Sequence, residues 1–223
     1  MYSVAVCTYN GENYIKEQLL SIINQTIPPY EVIISDDCST DNTIQEVRSI
    51  INQFPNVKWQ LILNQENVGY VKNFEQVIQK CSQDFIFLSD QDDVWIVDKV
   101  DNCIQFFKQN PKLDILFTDG LIVNDKLESN DIFLFDKVNL KKEHRKLSHS
   151  NLLYKLFVNQ SIVTGATMAF RKEVVNYCLP FPVFIDQVFI HDNWIATIGG
   201  LHKKIGCLNL PLIKYRIHDK QNI

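Results

Sequence analysis

Along the first 120 residues, short runs of β-branched and aromatic residues alternate with longer stretches whose apolar positions recur every three or four residues. The short runs, over 3–7, 31–35, 57–63, 84–88 and 113–118, predict strands. Between them, Ile15, Leu19, Ile22 and Ile23 share one face of a helix over 14–24. Ile44, Val47, Ile50 and Ile51 do the same over 41–51, where Ser39 or Thr40 offers an N-cap. Residues 71–80 and 94–109 follow the same period, and Asn110-Pro111 stops the last helix. Strand–helix alternation with short connections predicts an α/β fold, a mainly parallel sheet flanked by helices on both faces. In such sheets ligands bind beyond the carboxyl ends of the strands.

Past Gly120 the pattern loosens. Residues 121–123 and 132–135 predict a hairpin around 124–131. The stretch 137–146 is basic and has neither period, whereas 150–159 predicts a helix and 162–170 a strand. A short helix over 171–177 is expected to stop before Pro180, and one over 191–198 to end at Gly199-Gly200. Strands over 203–208 and 212–217 follow. With no internal repeat and no low-complexity linker, one domain over 1–223 is expected, its C-terminal half more irregular.

Composition narrows the class. Lys and Arg number 22 against 26 Asp and Glu, a net charge of −4, and 46% of residues are hydrophobic. That excludes a disordered chain, a collagen-like fibre and a coiled-coil rod, and nucleic acid is not an expected partner of a chain without basic excess. The six cysteines lie at least 22 residues apart with no CxxC pair, so they read as buried apolar residues of a reduced, cytoplasmic protein. The chain opens directly on a strand, which argues against a signal peptide, and no apolar run reaches the ~20 residues a bilayer span needs. It stops at Ile223 soon after the last strand, and a further C-terminal region is expected.

The strongest chemical signal is Ser89-Asp90-Gln91-Asp92-Asp93-Val94-Trp95, directly after the apolar strand Phe85-Ile86-Phe87-Leu88. Carboxylates this close repel one another unless a cation neutralises them, and hard divalent cations such as Mg²⁺ or Mn²⁺ take one or two carboxylates plus phosphate oxygens. Helix capping accounts for Asp92 or Asp93 but leaves Asp90 unexplained. Asp36-Asp37 follows another strand and can accept from a base or a ribose, with capping by Ser39, Thr40 or Asp41 as the bland alternative. Gly69, after the strand ending Leu63-Asn64, allows close backbone approach to a ligand.

Together these segments resemble the family 2 glycosyltransferases of the GT-A fold. Val4-Ala5-Val6-Cys7-Thr8-Tyr9-Asn10-Gly11 with Tyr14-Ile15 is similar to their opening, Ile34 to Asp41 to their nucleotide-binding turn, and Asn67-Val68-Gly69 to their next loop. Asp90-Gln91-Asp92 is similar to their DxD motif, and Ser-Asp-Gln-Asp-Asp-x-Trp to the branch described as rhamnosyltransferase-like. The resemblance runs from Ser3 to about Asn222, with four motifs in order.

It implies a single GT-A domain, with 1–120 as the nucleotide-sugar half and 121–223 as the acceptor half. It also implies an inverting, metal-dependent transfer from a dTDP- or UDP-sugar to a hydroxyl of a glycan or lipid-linked acceptor. Thr8, Tyr9, Asp36, Asp37, Asn67, Gly69 and Asp90 are then expected on the nucleotide, Asp92 on Mn²⁺ or Mg²⁺, and Asp192 as general base. His218, in Tyr215-Arg216-Ile217-His218, is the candidate to complete the metal site; a structural role is its alternative. Gly165, Trp194 and Asp93, an extra carboxylate, are expected on the substrate side. Members often carry Glu-Asp where this chain has His191-Asp192, and an N-cap explains Asp192 alone equally well. The Gln-x-x-Arg-Trp signature of processive synthases is absent, which favours single additions.

The basic residues Lys137, Lys141, Lys142, Arg145 and Lys146 read first as solvated surface. For a transferase acting on lipid-linked acceptors they also predict weak peripheral contact with anionic headgroups at the inner membrane face. Three other functions fit less well. A paired-aspartate phosphatase would carry its pair on the first strand, and a nucleotidyltransferase would have a Gly-rich loop there. A catalytically inactive nucleotide-sugar-binding module would not be expected to retain Asp92 and Asp192.

Overall fold

The computed structural model describes residues 1–138, 140, 163–182 and 190–219. Four parallel strands, β1 (Tyr2–Thr8), β2 (Glu31–Asp36), β3 (Lys58–Leu63) and β4 (Phe85–Ser89), stand in the order β3-β2-β1-β4. Both β1 and β2 are buried along their whole length, as continuous apolar strands are when helices cover both faces. Val4, Val6, Val32 and Ile34 join one core cluster with α1 (Ile15–Ile23), α2 (Thr43–Gln53) and α4 (Lys99–Gln109). Ala5, Cys7 and Ile33 point the other way, toward α3 (Tyr70–Lys80) and the helix His191–Leu201.

The sheet continues in mixed sense. Strand β8 (Met168–Arg171) lies antiparallel between β4 and β6 (Ile115–Val123), and β9 (Ile205–Arg216) runs parallel to β6. The two-residue β5 (Val94–Trp95) pairs antiparallel with β9, and β7 (Ser129–Phe133) forms a hairpin with β6. Short helices α5 (Leu134–Lys137) and α6 (Val175–Cys178) precede α7 (His191–Leu201).

Several boundaries differ from the sequence pattern, each for a non-local reason. Val94 and Trp95 do not begin α4: they pair with Lys214 and Ile213 of β9, and the helix starts at Lys99. The expected strands over 203–208 and 212–217 are one strand, in which the register jumps from Thr118↔Leu208 to Asp119↔Pro211, a bulge that accommodates a residue with no donor. Gly199-Gly200 lies within α7, because a Cβ on Gly199 would sit 2.5 Å from Ile115 Cδ1; the glycine serves close packing, not termination. Residues 165–167 form a 3-10 turn ahead of β8, and 172–174 another ahead of α6. Phe135 lies in α5, beyond the hairpin strand expected to hold it. The helix expected over 150–159, residue 162, and Lys141, Lys142, Arg145 and Lys146 lie outside the described residues. All six cysteines are free, and Cys7, Cys81, Cys103 and Cys178 are buried.

Candidate active site

The carboxyl ends of β1, β2 and β4 meet in register, Thr8 beside Asp36 and Val6 beside Ser89. Thr8 Oγ1 donates to Asp36 Oδ2 at 2.7 Å, and Ser39 donates to the same carboxylate through its amide (2.9 Å) and hydroxyl (2.6 Å). Asp36 thus fastens the β2 turn, where Cys38 adopts φ 71°. Asp37 accepts from Asn64 Nδ2 (2.9 Å) and Val68 N (2.8 Å) on Oδ1, and from Gly69 N (2.9 Å) on Oδ2. Three donors occupy most of a carboxylate's acceptor sites and leave one direction on Oδ2. Asn67 Oδ1 also accepts from Gly69 N at 3.1 Å, and Gly69 takes φ 79° with open space where a side chain would be. Tyr9 is exposed at the rim. Its backbone is gripped on both sides by the Gln91 amide: Tyr9 N donates to Oε1 (2.8 Å) and Nε2 donates to Tyr9 O (2.9 Å).

The acidic turn after β4 faces this rim. Asp90 is half-buried, Asp92 and Asp93 buried. Asp92 Oδ2 lies 2.9 Å from His218 Nε2, and the His218 ring stacks on Tyr14 at 4.6 Å. Asp93 Oδ1 accepts from Arg216 N at 3.1 Å, while its Oδ2 has no partner among the described residues. Burial first, then the charges of Asp92 and Asp90, push the Asp93 carboxyl well above its ordinary range. Burial, followed by Asp92 and Asp192, raises Asp90 to about 7, with Lys99 opposing. Lys99 is wholly buried: its ammonium donates to Ala166 O at 2.7 Å and sits 4.4 Å over the Trp95 ring, and burial lowers it to about 8. Arg216, 2% exposed, donates to Asp92 O (2.7 Å), Asp125 O and Glu17 Oε2 (2.5 Å).

Asp192 enters from the start of α7. Its Oδ2 accepts from Gly165 N at 2.9 Å and its Oδ1 from Asn193 N at 2.6 Å, so the 3-10 turn at Gly165 and the helix N-terminus hold it together. Burial dominates and raises its carboxyl to about 7, against the lowering effect of these amides. Its charge reaches Asp90, which places the α7 carboxylate beside the acidic turn across 100 residues of chain. Trp194 is taken up differently: its Nε1 donates to Cys178 O at 3.0 Å and the ring packs on the α3-side core.

Asp90, Asp92, Asp192 and His218 are thus brought to one place, with Thr8, Tyr9 and Asp37 along the neighbouring strand ends. Trp194 Nε1 is taken by Cys178 O, and Asp93 is met on Oδ1 by Arg216 N. Gln91, Lys99 and Arg216 went unassigned by sequence reasoning. One available signal was the charge balance, since clustered buried carboxylates demand nearby cations. Among the described residues no group of three His, Cys, Asp or Glu side chains converges as a closed metal cage. The Asp92–His218 pair and Asp90 nonetheless supply the hard and imidazole donors that Mg²⁺ or Mn²⁺ accept when phosphate oxygens complete the shell.

Comparison with known proteins supplies the family and the fold. The profile of the family described as Glycosyl transferase family 2 matches residues 3–179. The dTDP-rhamnosyl transferase RfbG of Shigella flexneri is 41% identical over 109 residues, which is 44% of this chain and 35% of that protein. The crystal structure of S. aureus TarS 1-349 in complex with UDP superposes with a TM-score of 0.72 at 22% identity, over 97% of this chain and 60% of that one. The mannosyltransferase PcManGT from Pyrobaculum calidifontis, in complex with GDP-Man and Mn²⁺, gives a TM-score of 0.64 at 18% identity, over 94% of this chain and 54% of its own. These two likenesses extend to the fold. The chain spans about a third to three-fifths of the length of these proteins.

Proposed function

The chain belongs to glycosyl transferase family 2, and on that premise we propose that it moves a sugar, with inversion, from a nucleoside-diphosphate sugar to a hydroxyl of a glycan or lipid-linked acceptor. The observation that carries this reading is Asp192, a buried carboxylate on α7 held by Gly165 N and Asn193 N, on the same turn that Lys99 of α4 grips through Ala166 O. The acceptor oxygen attacks the anomeric carbon, its proton passes to Asp192, and the bond to the diphosphate breaks with its electron pair leaving on the diphosphate. A base whose carboxyl sits at about 7 suits proton transfer near neutral pH. Thr8, Tyr9, Asp37, Asn67 and Gly69 form the nucleotide side, with Asp90 toward the ribose. Asp36 contributes by fixing the turn that carries Asp37.

Asp92 and His218 would hold Mg²⁺ or Mn²⁺, which when bound supplies Lewis-acid stabilisation of charge on the leaving diphosphate. PcManGT, a neighbour in fold, is described with Mn²⁺ and GDP-Man, which supports this cofactor class. The Shigella relative supports dTDP-rhamnose as donor, and TarS, also described in complex with UDP-GlcNAc, a UDP-sugar. The proposed acceptor class supports a role in cell-surface polysaccharide synthesis at the cytoplasmic face, with weak peripheral membrane contact. Among the described residues no helix is long and apolar enough to cross a membrane.

Asp192→Asn tests the reading, because it keeps the shape and removes the base. Transfer should fall by about 10³-fold while UDP or dTDP affinity stays nearly unchanged. Wild-type turnover in that variant would refute the base assignment.

A further inference from the structure

Tyr14 stands in the turn between β1 and α1, three residues after Gly11, whose carbonyl accepts from Tyr14 N at 3.0 Å. Its ring stacks on His218 with centroids 4.6 Å and planes 27° apart. The Arg216 guanidinium lies 5.0 Å from the centre of the same ring. The Tyr14 hydroxyl donates to Asp125 Oδ1 at 3.0 Å, on the turn between β6 and β7. One side chain thus joins the β1–α1 turn, the β6–β7 turn and the end of β9.

His218 gains from such a neighbour. Strand β9 ends at Arg216, and Ile217 N still donates to Val123 O at 2.9 Å, so the ladder is over before His218. Beyond it, Asp92 Oδ2 meets the imidazole edge at Nε2, 2.9 Å away, and Tyr14 covers a face. The imidazole is only 4% exposed. A histidine offers a metal its lone pair in the ring plane, so the rotation of the ring decides where Nε2 points. A flat ring stacked on the imidazole restrains that rotation, and it acts on the face, not on the edge that carries Nε2.

From this geometry we infer that Tyr14 is a positioning residue for His218, holding its imidazole in the plane that serves a divalent cation beside Asp92. The inference rests on the reading of Asp92 and His218 as holders of Mg²⁺ or Mn²⁺. The aromatic ring carries the effect, through the stack. The hydroxyl has the lesser part: its bond to Asp125 steadies the ring from a turn that Arg216 also grips, through Asp125 O. Since the cation takes phosphate oxygens to complete its shell, loss of the ring acts on nucleotide binding only when metal is present.

Calorimetric titration of the full chain with UDP and with dTDP, each with and without Mn²⁺, tests this without any turnover. Tyr14→Leu removes the ring and keeps an apolar side chain. It should weaken nucleotide binding about tenfold in Mn²⁺ and leave binding without metal within about twofold. Tyr14→Phe keeps the stack and should stay within about threefold of wild type in both conditions. Added to His218→Ala, Tyr14→Leu should cost less than about twofold more, because one residue acts through the other. Wild-type binding by Tyr14→Leu in Mn²⁺, or an equal loss with and without the metal, overturns the proposal. So does a double variant in which the two losses multiply. A marked fall in the metal-free melting temperature of Tyr14→Leu assigns the ring a structural role and also overturns it. If His218→Ala binds as tightly as wild type in Mn²⁺, or neither nucleotide binds better with the metal, the metal reading beneath the proposal falls, and the proposal with it.

Discussion

At the scale of single residues, the two neighbours at the start of α7 titrate in opposite senses. Asp192 is raised by burial from the ordinary 3.8 to about 7, so transfer should rise with pH through about 7 and level off as the carboxylate forms. The same shift acts on stability with its own sign. A carboxyl raised in the folded state contributes stability below 3.8 and loses it as pH climbs through about 7. His191, lowered from 6.5 to about 3, contributes above 6.5 and loses that contribution as pH falls toward 3. Melting curves without metal should therefore show Asp192→Asn flattening the neutral side of the pH–stability profile and His191→Phe flattening the acid side. Gly165→Ala pushes a methyl to 3.0 Å from His191 Nε2. It should cost about 1–3 kcal/mol by overpacking and reduce turnover, read by urea titration and a steady-state assay.

At the scale of elements, the acidic turn is held by strands that the chain does not place near it. Arg216 closes β9 and donates to the Asp92 and Asp125 carbonyls and to Glu17, while its amide caps Asp93. Arg216→Met leaves those carbonyls unmet and should lose about 2–3 kcal/mol in chemical denaturation. Gln91→Leu differs, because the Tyr9 backbone it releases can turn to water. Stability should change by less than about 1 kcal/mol, but nucleotide affinity should weaken several-fold in calorimetry as the rim loosens. These two residues also mark where sequence reading stops. Asp90 and Asp92 were legible because they follow a strand end, whereas Asp192 and His218 were singled out only through resemblance to the family's motifs. Helices α1 to α3 were legible because a 3.6-residue period is local. Arg216, Gln91 and Lys99 owe their roles to partners dozens to more than a hundred residues away, and β5 exists only through pairing with β9. Nothing in a local window encodes such contacts. Trp194 Nε1 and Asp93 Oδ1 likewise have protein partners, Cys178 O and Arg216 N, that no local window announces.

At the scale of the whole molecule, the acidic residues form an incomplete electrostatic centre in which Lys99, among the described residues, is the only wholly buried lysine. Adding Mn²⁺ with UDP or dTDP should raise the melting temperature more than either alone, since cation and diphosphate complete one another's coordination. Asp92→Ala should remove the metal-dependent part of nucleotide affinity and leave the metal-independent part. Lys99 has a further role in this arrangement. Its bond to Ala166 O connects α4 to the turn whose Gly165 amide carries Asp192, so the acidic turn's neighbour and the proposed base share one support. Strand β9 has a consequence in time as well as in space. Synthesis runs from the amino end, so β1 to β4 can assemble on the ribosome while the acidic turn still lacks β9, Arg216 and His218. A nascent chain released short of Leu212 would carry most of the nucleotide rim without the strand that fixes the acidic turn. A nascent chain that has not reached Arg216 and His218 therefore lacks the side chain that fixes the acidic turn and the proposed partner of Asp92 on the metal.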